Sequence, residues 1–283
     1  MGVEIASFFH ESTGTWTYVV HDDTDAVVID PVLDYDPSSG AISIESVSQV
    51  RGYMKANELT LRRILETHAH ADHLSGAQLI RDHDRVPIGI GIGIRAVQRY
   101  FGELFEFDED LLEDAFDDEF KEHDVIRAGS LKFEAIATPG HTSDCLSYRI
   151  GNHVFVGDTV FAPDVGTARC DFPGGSVEAL YHSICKLYAL GDDVTLWFCH
   201  DYPVDGRDPI SHVSVAESKA SNKMLSAADT LESFSERRRA RDATLPAPNL
   251  LYPSLQVNIR GGRLPKPSEE GRIFLRTPVS IEP

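Results

Sequence analysis

The stretch Thr67-His68-Ala69-His70-Ala71-Asp72-His73 places three imidazoles and one carboxylate within seven residues. The residues before it, 61–66, have the pattern of a strand, and side chains two apart on an extended chain point the same way. The first two histidines can therefore reach one point in space. If the chain turns after them, the aspartate and the third histidine can face a second point beside the first. Metal ions are commonly bound by such clusters, so we predict a metal site here, followed by a helix over residues 74–82.

Three later predicted strands each run into a turn that carries a further metal-binding side chain. The strands cover residues 130–138, 146–156 and 195–199, and the side chains that follow them are His141, Asp158 and His200. Functional side chains are commonly found on loops that a rigid sheet holds at the ends of its strands. We therefore expect the four residues of the first stretch and these three to converge on one site.

Strands and helices alternate along the remainder of the chain. Strands are predicted over residues 15–20, 26–29 and 87–94, and a helix is predicted over residues 177–190. The glycines in the third of these strands do not form a nucleotide-binding pattern, because Ile94 stands where that pattern needs glycine. We expect one domain over residues 1–283, in which residues 205–283 form a C-terminal helix and a tail packed on the core.

The charge of the chain excludes one large class of partner. The 283 residues carry a formal net charge of -19, whereas proteins that bind nucleic acid need clustered cations to neutralise phosphates. We therefore expect no nucleic-acid partner. Much of the acid lies in residues 107–120, where Leu112, Phe116 and Phe120 recur at helical spacing, so a helix with a solvated face is predicted there.

The sequence also indicates where the protein works. The longest apolar stretch, residues 86–94, is too short to cross a bilayer, and no apolar run follows a basic start. The four cysteines have neither the CxxC spacing of a redox motif nor the density of a disulfide framework. We therefore expect buried free thiols, no membrane association and a location in the reducing cytoplasm.

The combined motifs resemble those of the metallo-β-lactamase superfamily. That family carries Thr-His-x-His-x-Asp-His, then Gly-His-Thr, then Gly-Asp and then a late histidine, and these correspond to residues 67–73, 140–142, 157–158 and His200. The resemblance implies an α+β fold, an αββα sandwich of two mixed β-sheets flanked by helices, and dependence on metal. It does not imply one reaction, because the same scaffold serves hydrolases and oxygenases.

One alternative is similar to glyoxalase II, a hydrolase with two metal ions such as zinc. By that resemblance one ion would be held by His68, His70 and His141. The other would be held by Asp72, His73 and His200, with Asp158 bridging the two. A hydroxide between the ions would then attack a thioester carbonyl.

The other alternative resembles the glutathione persulfide dioxygenases, which use one Fe(II) per chain. By that resemblance His68, His141 and Asp158 would be the ligands, a set of two histidines and one carboxylate that leaves open positions. The remaining four, His70, Asp72, His73 and His200, would orient the ligands and hydrogen-bond the oxygen species. The substrates would be glutathione persulfide and O₂.

Residues beyond the ligands favour the dioxygenase. Arg169-Cys170-Asp171-Phe172, residues 179–184 and His200-Asp201-Tyr202 resemble dioxygenase segments, most closely those of the bacterial β-lactamase-like branch. In glyoxalase II the first of these segments typically reads Arg-Phe-Phe-Glu, so Asp171 is the discriminating residue. We expect Asp171 and Asp201 to support the site from outside the ligand set.

A thiol such as glutathione carries two carboxylates and an amine, so its site needs cationic donors and an aromatic wall. Arg169, Tyr181 and Arg260 are the candidates for this role. Arg169 has the alternative of an ion pair with Asp171 or Asp201.

A metal-bearing sensor without catalytic activity is a third functional alternative. The oligomeric state stays open, with a homodimer as one of its alternatives.

Overall fold

Two six-stranded sheets form the centre of the molecule, and the computed structural model describes residues 2–108 and 110–279. In spatial order the first sheet contains β1 (Glu4–His10), β2 (Thr15–His21), β3 (Asp25–Ile29), β6 (Thr60–Leu65), β8 (Ile88–Gly91) and β9 (Asp118–Phe120). The second contains β10 (Val125–Ala128), β11 (Leu131–Ala137), β12 (Leu146–Ile150), β13 (His153–Phe155), β14 (Thr195–Trp197) and β15 (His212–Ser214). A small third sheet contains β5 (Ala41–Ser43), β4 (Val32–Asp36) and β7 (Leu74–Ser75).

The helices of the described residues fall into two groups along the chain. The first group is α1 (Glu45–Ala56), α2 (Ala77–Asp84), α3 (Ile94–Phe105) and the short α4 (Asp110–Glu113). The second group is α5 (Val177–Tyr188), α6 (Val215–Ser221), α7 (Leu231–Asp242) and α8 (Leu251–Asn258). Both large sheets are mixed. β3, β6, β8 and β9 run parallel to one another, and so do β13 and β14, while the other neighbours in the two sheets are antiparallel.

Strand β3 shows how the layers are built, because its alternate side chains enter different cores. Val27 and Ile29 pack between the two sheets, together with side chains of the second sheet such as Phe133. Ala26 and Val28 point the opposite way, into the core beneath the helices of the first group. Burial on both faces explains why this strand is apolar from Ala26 to Ile29.

The second sheet has the same arrangement on its outer face, where Val154 and Leu196 pack against Leu180 and Ile184 of helix α5. The order of layers is therefore helix, sheet, sheet, helix. The predicted α+β sandwich of two mixed sheets flanked by helices is confirmed.

The prediction of one helix over the acidic residues 107–120 is wrong. The described residues of this segment form the single turn of α4 and the strand β9 instead of one helix, and Glu109 lies outside the described residues. β9 pairs in parallel with β8, so Phe120 reaches the core between the sheets, whereas Phe116 is buried beneath the first helices. The free edge of β8, which is a tertiary feature, outweighs the local helical spacing.

Several other boundaries differ from the predictions. The segment predicted as one strand over residues 146–156 is a hairpin, with Gly151 at a φ of 57° between β12 and β13. The helix predicted over residues 74–82 begins at Ala77, after the two residues of β7. The tail contains the three helices α6, α7 and α8 in place of one helix, and α8 packs on β7 and α3.

All four cysteines are free thiols, as predicted, and Cys145, Cys170 and Cys199 are buried. The prediction of burial is wrong for Cys185, which is exposed on α5. Among the described residues, none of the helices has the length and apolar character needed to cross a membrane.

Gly140 lies where the chain leaves β11 and passes the start of helix α5. Its φ is 146°, and a Cβ added there would lie 2.3 Å from the backbone nitrogen of Leu180. We expect Gly140→Ala to lower the free energy of unfolding by about 3 kcal/mol, because strained backbone and a backbone clash add together. Urea unfolding measures this value.

Gly151→Ala is the matched control for this substitution. Gly151 also has a positive φ, of 57°, but no atom lies within 4 Å of an added Cβ. We expect the control to lose about 1 kcal/mol from backbone strain alone. Equal losses in the two variants would show that the contact between Gly140 and helix α5 has no energetic weight.

Candidate metal centre

The seven predicted residues come together at the ends of strands from both large sheets. The loop after β6 carries the first four, and the turns after β11, β13 and β14 carry His141, Asp158 and His200. His68, His70, His73 and His200 are each at most 1% exposed. These four imidazoles are therefore shielded from solvent.

Three of the residues form one compact group. His68, His141 and Asp158 each offer a ligand atom within 4.8 Å of the other two. The Nε2 atoms of His68 and His141 lie 3.9 Å and 3.6 Å from the Asp158 carboxylate. Two imidazoles and one carboxylate thus converge on the same small volume.

Hydrogen bonds outside this group set the tautomers of its histidines. His141 Nδ1 lies 2.8 Å from the carbonyl oxygen of Arg169, and a carbonyl can only accept, so Nδ1 carries the proton. Thr67 donates its hydroxyl proton to Asp30 at 2.9 Å and accepts from His68 Nδ1 at 3.0 Å. In both imidazoles the lone pair of Nε2 is left available for a metal ion.

A second group lies directly beside the first. His70, His73, Cys199 and His200 offer ligand atoms within 4.8 Å of one another. His200 Nε2 lies 3.2 Å from Asp72 Oδ2 and 3.5 Å from Asp158 Oδ1, so Asp158 touches both groups. The geometry therefore contains room for the two-ion arrangement as well as for the single ion.

The chemistry of the donors fits a metal ion. Asp158 Oδ1, His73 Nε2 and His200 Nε2 are buried and have no hydrogen-bond partner in the described part of the chain. Buried polar atoms are nearly always paired, because each unpaired atom costs about 1–3 kcal/mol. Cations bound by the two groups would satisfy these atoms.

His70 differs from the other histidines because its Nε2 faces away from them. It lies 3.1 Å from Asp30 and 3.2 Å from Glu66, and both carboxylates are buried. Burial raises the pKa of Glu66 to about 6. Burial also acts to raise the pKa of Asp30, but the neighbouring His70 outweighs it and holds that pKa below its ordinary value. Asp30 and Glu66 were not singled out from sequence, since no local motif marks them.

Asn258 at the end of helix α8 is a further residue that sequence reasoning did not assign to the site. Its amide nitrogen donates to the carbonyl oxygens of His70 at 2.8 Å and His73 at 2.7 Å. Its amide oxygen accepts from the backbone of Ser75 at 2.8 Å. One buried side chain from the C-terminal region therefore fixes the backbone of the metal-binding loop.

Arg169 is held by an ion pair with Asp171, which was one of the two alternatives for it. Two of its nitrogens donate to the two carboxylate oxygens at 2.6 Å and 2.7 Å, and a third donates to the carbonyl of Pro246 at 2.6 Å. The guanidinium also lies 5.0 Å from the ring centroid of Phe172. The pair connects the segment that contains Asp171 to the C-terminal chain.

Asp201 supports the loop after His200, and its partner is Arg207 instead of Arg169. Both carboxylate oxygens of this fully buried side chain accept from Arg207 at 2.6 Å. The same carboxylate accepts from the backbone of Ile210 at 2.8 Å.

The structure does not bring Tyr181 and Arg260 to the metal ligands. Tyr181 packs on Phe234 of helix α7, with ring centroids 5.8 Å apart, and donates to the carbonyl of Asp229. Arg260 lies 4.8 Å from the ring centroid of Phe107 and is buried, which lowers its pKa to about 10. Neither side chain is among the described residues that line the cavity beside the ligands. Both have structural partners that their sequence neighbours did not reveal.

That cavity has a volume of about 880 Å³ and opens beside the first group of ligands. Its wall includes the ligand residues His141 and Asp158 and the aromatic side chains of Phe161, Phe172 and Tyr202. A small organic substrate can therefore reach the metal ligands through a partly apolar pocket.

We expect Asn258→Ala to destabilise the fold and the metal site together. The substitution leaves two buried carbonyls and one buried N–H without partners, so unfolding should become easier by about 3 kcal/mol. Metal affinity, measured by competition with a chelator, should fall by about 10-fold to 100-fold.

The control for this variant is Asn152→Ala, which removes an exposed amide that donates to Asp193 at 3.0 Å. It should change the free energy of unfolding by less than about 0.5 kcal/mol. Unchanged metal affinity in Asn258→Ala would refute the role of helix α8 in holding the loop.

Comparison with known proteins agrees with the fold. The chain is 39% identical over 282 residues to glyoxylase B2 of Dictyostelium discoideum, which covers 98% of this chain and 97% of that protein. It is 40% identical over 279 residues to the beta-lactamase hydrolase-like protein of Xylella fastidiosa, but it spans 64% of that longer protein. It is 29% identical over 203 residues to human mitochondrial persulfide dioxygenase ETHE1, covering 70% of this chain and 68% of the human protein.

Among solved structures, ETHE1 from Myxococcus xanthus matches with a TM-score of 0.75 and 27% identity, covering 92% of this chain and all of that one. The family described as the metallo-beta-lactamase superfamily matches residues 12–200, a range that includes all seven of the residues gathered at the strand ends. This match and the layered fold that carries the site show that the chain belongs to the metallo-β-lactamase superfamily.

Proposed function

We propose that the chain is a cytoplasmic persulfide dioxygenase with one Fe(II) per chain. It would convert glutathione persulfide, O₂ and water to glutathione and sulfite, with release of two protons. The observation that carries the proposal is the group of His68, His141 and Asp158. It contains the two-histidine, one-carboxylate set of non-haem iron oxygenases, with the lone pair of each Nε2 already available.

Iron held by these three residues would supply redox chemistry between persulfide sulfur and dioxygen, which zinc cannot supply. The grouping of the side chains supports the single-ion arrangement, because His70 is absent from the compact group formed by the three ligands. Its Nε2 is engaged by Asp30 and Glu66, and its Nδ1 lies 3.9 Å from Cys199 Sγ in the second group. The proposal assigns His70 the role of orienting the loop.

Other residues of the chain can serve the reaction without binding iron. Phe161 and Phe172 line the cavity next to the ligands and exclude water from part of it. His200 Nε2 and Asp72 Oδ2, which are 3.2 Å apart, lie beside the three ligands and can accept hydrogen bonds from a group bound there. Tyr202 lines the same cavity and donates to Asp72.

The relatives support the proposal in part. The human protein named persulfide dioxygenase and the ETHE1 structure share the fold over most of this chain. Relatives of higher identity carry the names glyoxylase and beta-lactamase hydrolase-like protein. The free thiols of all four cysteines fit the reducing environment in which we place the protein.

A thioester hydrolase with two ions, such as zinc, is the second candidate. The observation that favours it is the group of His70, His73, Cys199 and His200, in which His73 Nε2 and His200 Nε2 are buried without partners. A second ion beside the first would satisfy these atoms. Two ions held by these residues would supply the Lewis-acid chemistry that activates water for thioester hydrolysis.

Oxygen consumption separates the two candidates. We expect the metal-free protein, loaded anaerobically with one equivalent of Fe(II), to consume O₂ when glutathione persulfide is added, and to produce one sulfite per O₂. The oxygen electrode and a sulfite assay measure both. If no O₂ is consumed and the zinc-loaded protein rapidly hydrolyses a glutathione thioester, the dioxygenase is refuted and the hydrolase is supported.

Single substitutions test which residues bind the ion. We expect His141→Ala to lose its metal and at least about 1,000-fold in activity, since a ligand of the single ion is removed. His73→Ala should retain metal near one per chain and lose about 10-fold, because its role is to orient other groups. Metal analysis that finds two ions in the native protein and one in His73→Ala would contradict the single-ion site.

A further inference from the structure

The cavity beside the metal ligands is lined by more cations than anions, although the chain as a whole is strongly acidic. The sequence contains 45 acidic and 26 basic residues. In contrast, the cavity wall includes the four cationic side chains of Arg169, Lys223, Arg238 and Arg241. The only carboxylates among the described lining residues are Asp72 and Asp158, which belong to the metal centre.

Two of the four cations already have anionic partners. Arg169 is bound to Asp171 through two hydrogen bonds. Arg238 is buried, pairs with Asp242 at 2.7 Å and donates to the carbonyl of Thr167 at 3.0 Å. These two arginines hold the cavity wall in place, and their charges are compensated.

The other two cations, Lys223 and Arg241, face solvent at the cavity. Within residues 2–108 and 110–279, no side-chain hydrogen bond or ion pair engages either of them. Asp164 is the carboxylate whose pKa responds to the charge of Lys223, but it is already bound by Arg207 at 2.7 Å and 2.9 Å. Lys223 and Arg241 are therefore two cations of the cavity wall whose charges are not compensated by a described side chain.

The backbone fixes the positions of both side chains. The backbone nitrogen of Lys223 donates to the carbonyl of Pro163 at 3.0 Å, just after helix α6 ends. Arg241 lies in the last turn of helix α7, three residues after the anchored Arg238. The charged groups of both side chains are free to bind a ligand, whereas the backbone that carries them is held in the packed structure.

We propose that Lys223 and Arg241 bind a carboxylate of the thiol substrate and make the enzyme selective for anionic persulfides. The selectivity for a persulfide rests on the proposed function, whereas the carboxylate subsite itself does not. Ammonium and guanidinium groups form strong charge-assisted hydrogen bonds with carboxylates. An anionic substrate that approaches an acidic protein also needs such a local positive region to offset repulsion.

The first test compares two substrates of opposite charge. Glutathione persulfide carries carboxylates, and cysteamine persulfide carries an amine and no carboxylate. For the double variant Lys223→Ala with Arg241→Ala, we expect the KM for glutathione persulfide to rise about 10-fold, with the effect on KM exceeding that on kcat. The KM for cysteamine persulfide should not rise.

The control is the double variant Arg99→Ala with Lys121→Ala, which removes the same charge from two exposed positions outside the cavity wall. It should change KM by less than about 2-fold, because distant surface charges are screened. An equal rise of KM in both double variants, or an equal effect on both substrates, would overturn the subsite.

The second test measures binding without turnover. Calorimetry with glutathione and the metal-loaded protein should show binding that weakens with salt and is lost in the Lys223 and Arg241 double variant. If neither persulfide causes oxygen uptake but glutathione binding is salt-sensitive and is lost in the double variant, the dioxygenase is refuted and the subsite is supported. If uptake is normal and neither KM nor glutathione binding responds to the double variant, the subsite fails and the dioxygenase stands.

Discussion

The metal centre depends on one buried carboxylate, that of Asp30 at the end of strand β3. It accepts from the backbone and hydroxyl of Thr67 at 2.7 Å and 2.9 Å, and it lies 3.1 Å from His70 Nε2. A buried charge is stable only when several donors satisfy it. Because those donors belong to the loop after β6, the same bonds orient His70 and, through Thr67, set the tautomer of His68. The parallel pairing of β3 with β6 brings the carboxylate and the loop together.

The C-terminal region holds parts of the metal centre and of the cavity wall in position. Asn258 fixes the loop backbone, while Arg169 bridges the segment of Asp171 to the carbonyl of Pro246 and so holds part of the cavity wall. Lys223 and Arg241, the cations of the proposed carboxylate subsite, also belong to that region and line the cavity beside the metal centre. In this protein the chain after His200 shapes the site as well as covering the core.

The seven clustered residues could be predicted from sequence because strand ends in a sheet face a common edge, and the motifs lie directly at those ends. The helix proposed for residues 107–120 failed, since Phe116 and Phe120 obey a helical spacing but are buried in different cores. The substrate role proposed for Tyr181 and Arg260 gains no support from their positions. Each of them packs on an aromatic ring far from it in sequence, Phe234 and Phe107, and such pairings leave no local pattern.

The sequence by itself determined the family, the αββα sandwich and the residues that offer ligand atoms, because alternation of apolar side chains and the spacing of histidines are local properties. Only the tertiary structure showed how those residues are grouped in space. It placed His68, His141 and Asp158 in one group and turned His70 Nε2 toward Asp30 and Glu66. Among the described residues it also left Lys223 and Arg241 without a side-chain partner at the cavity. These outcomes depend on distances between segments that are remote in the chain, and such distances are set by packing.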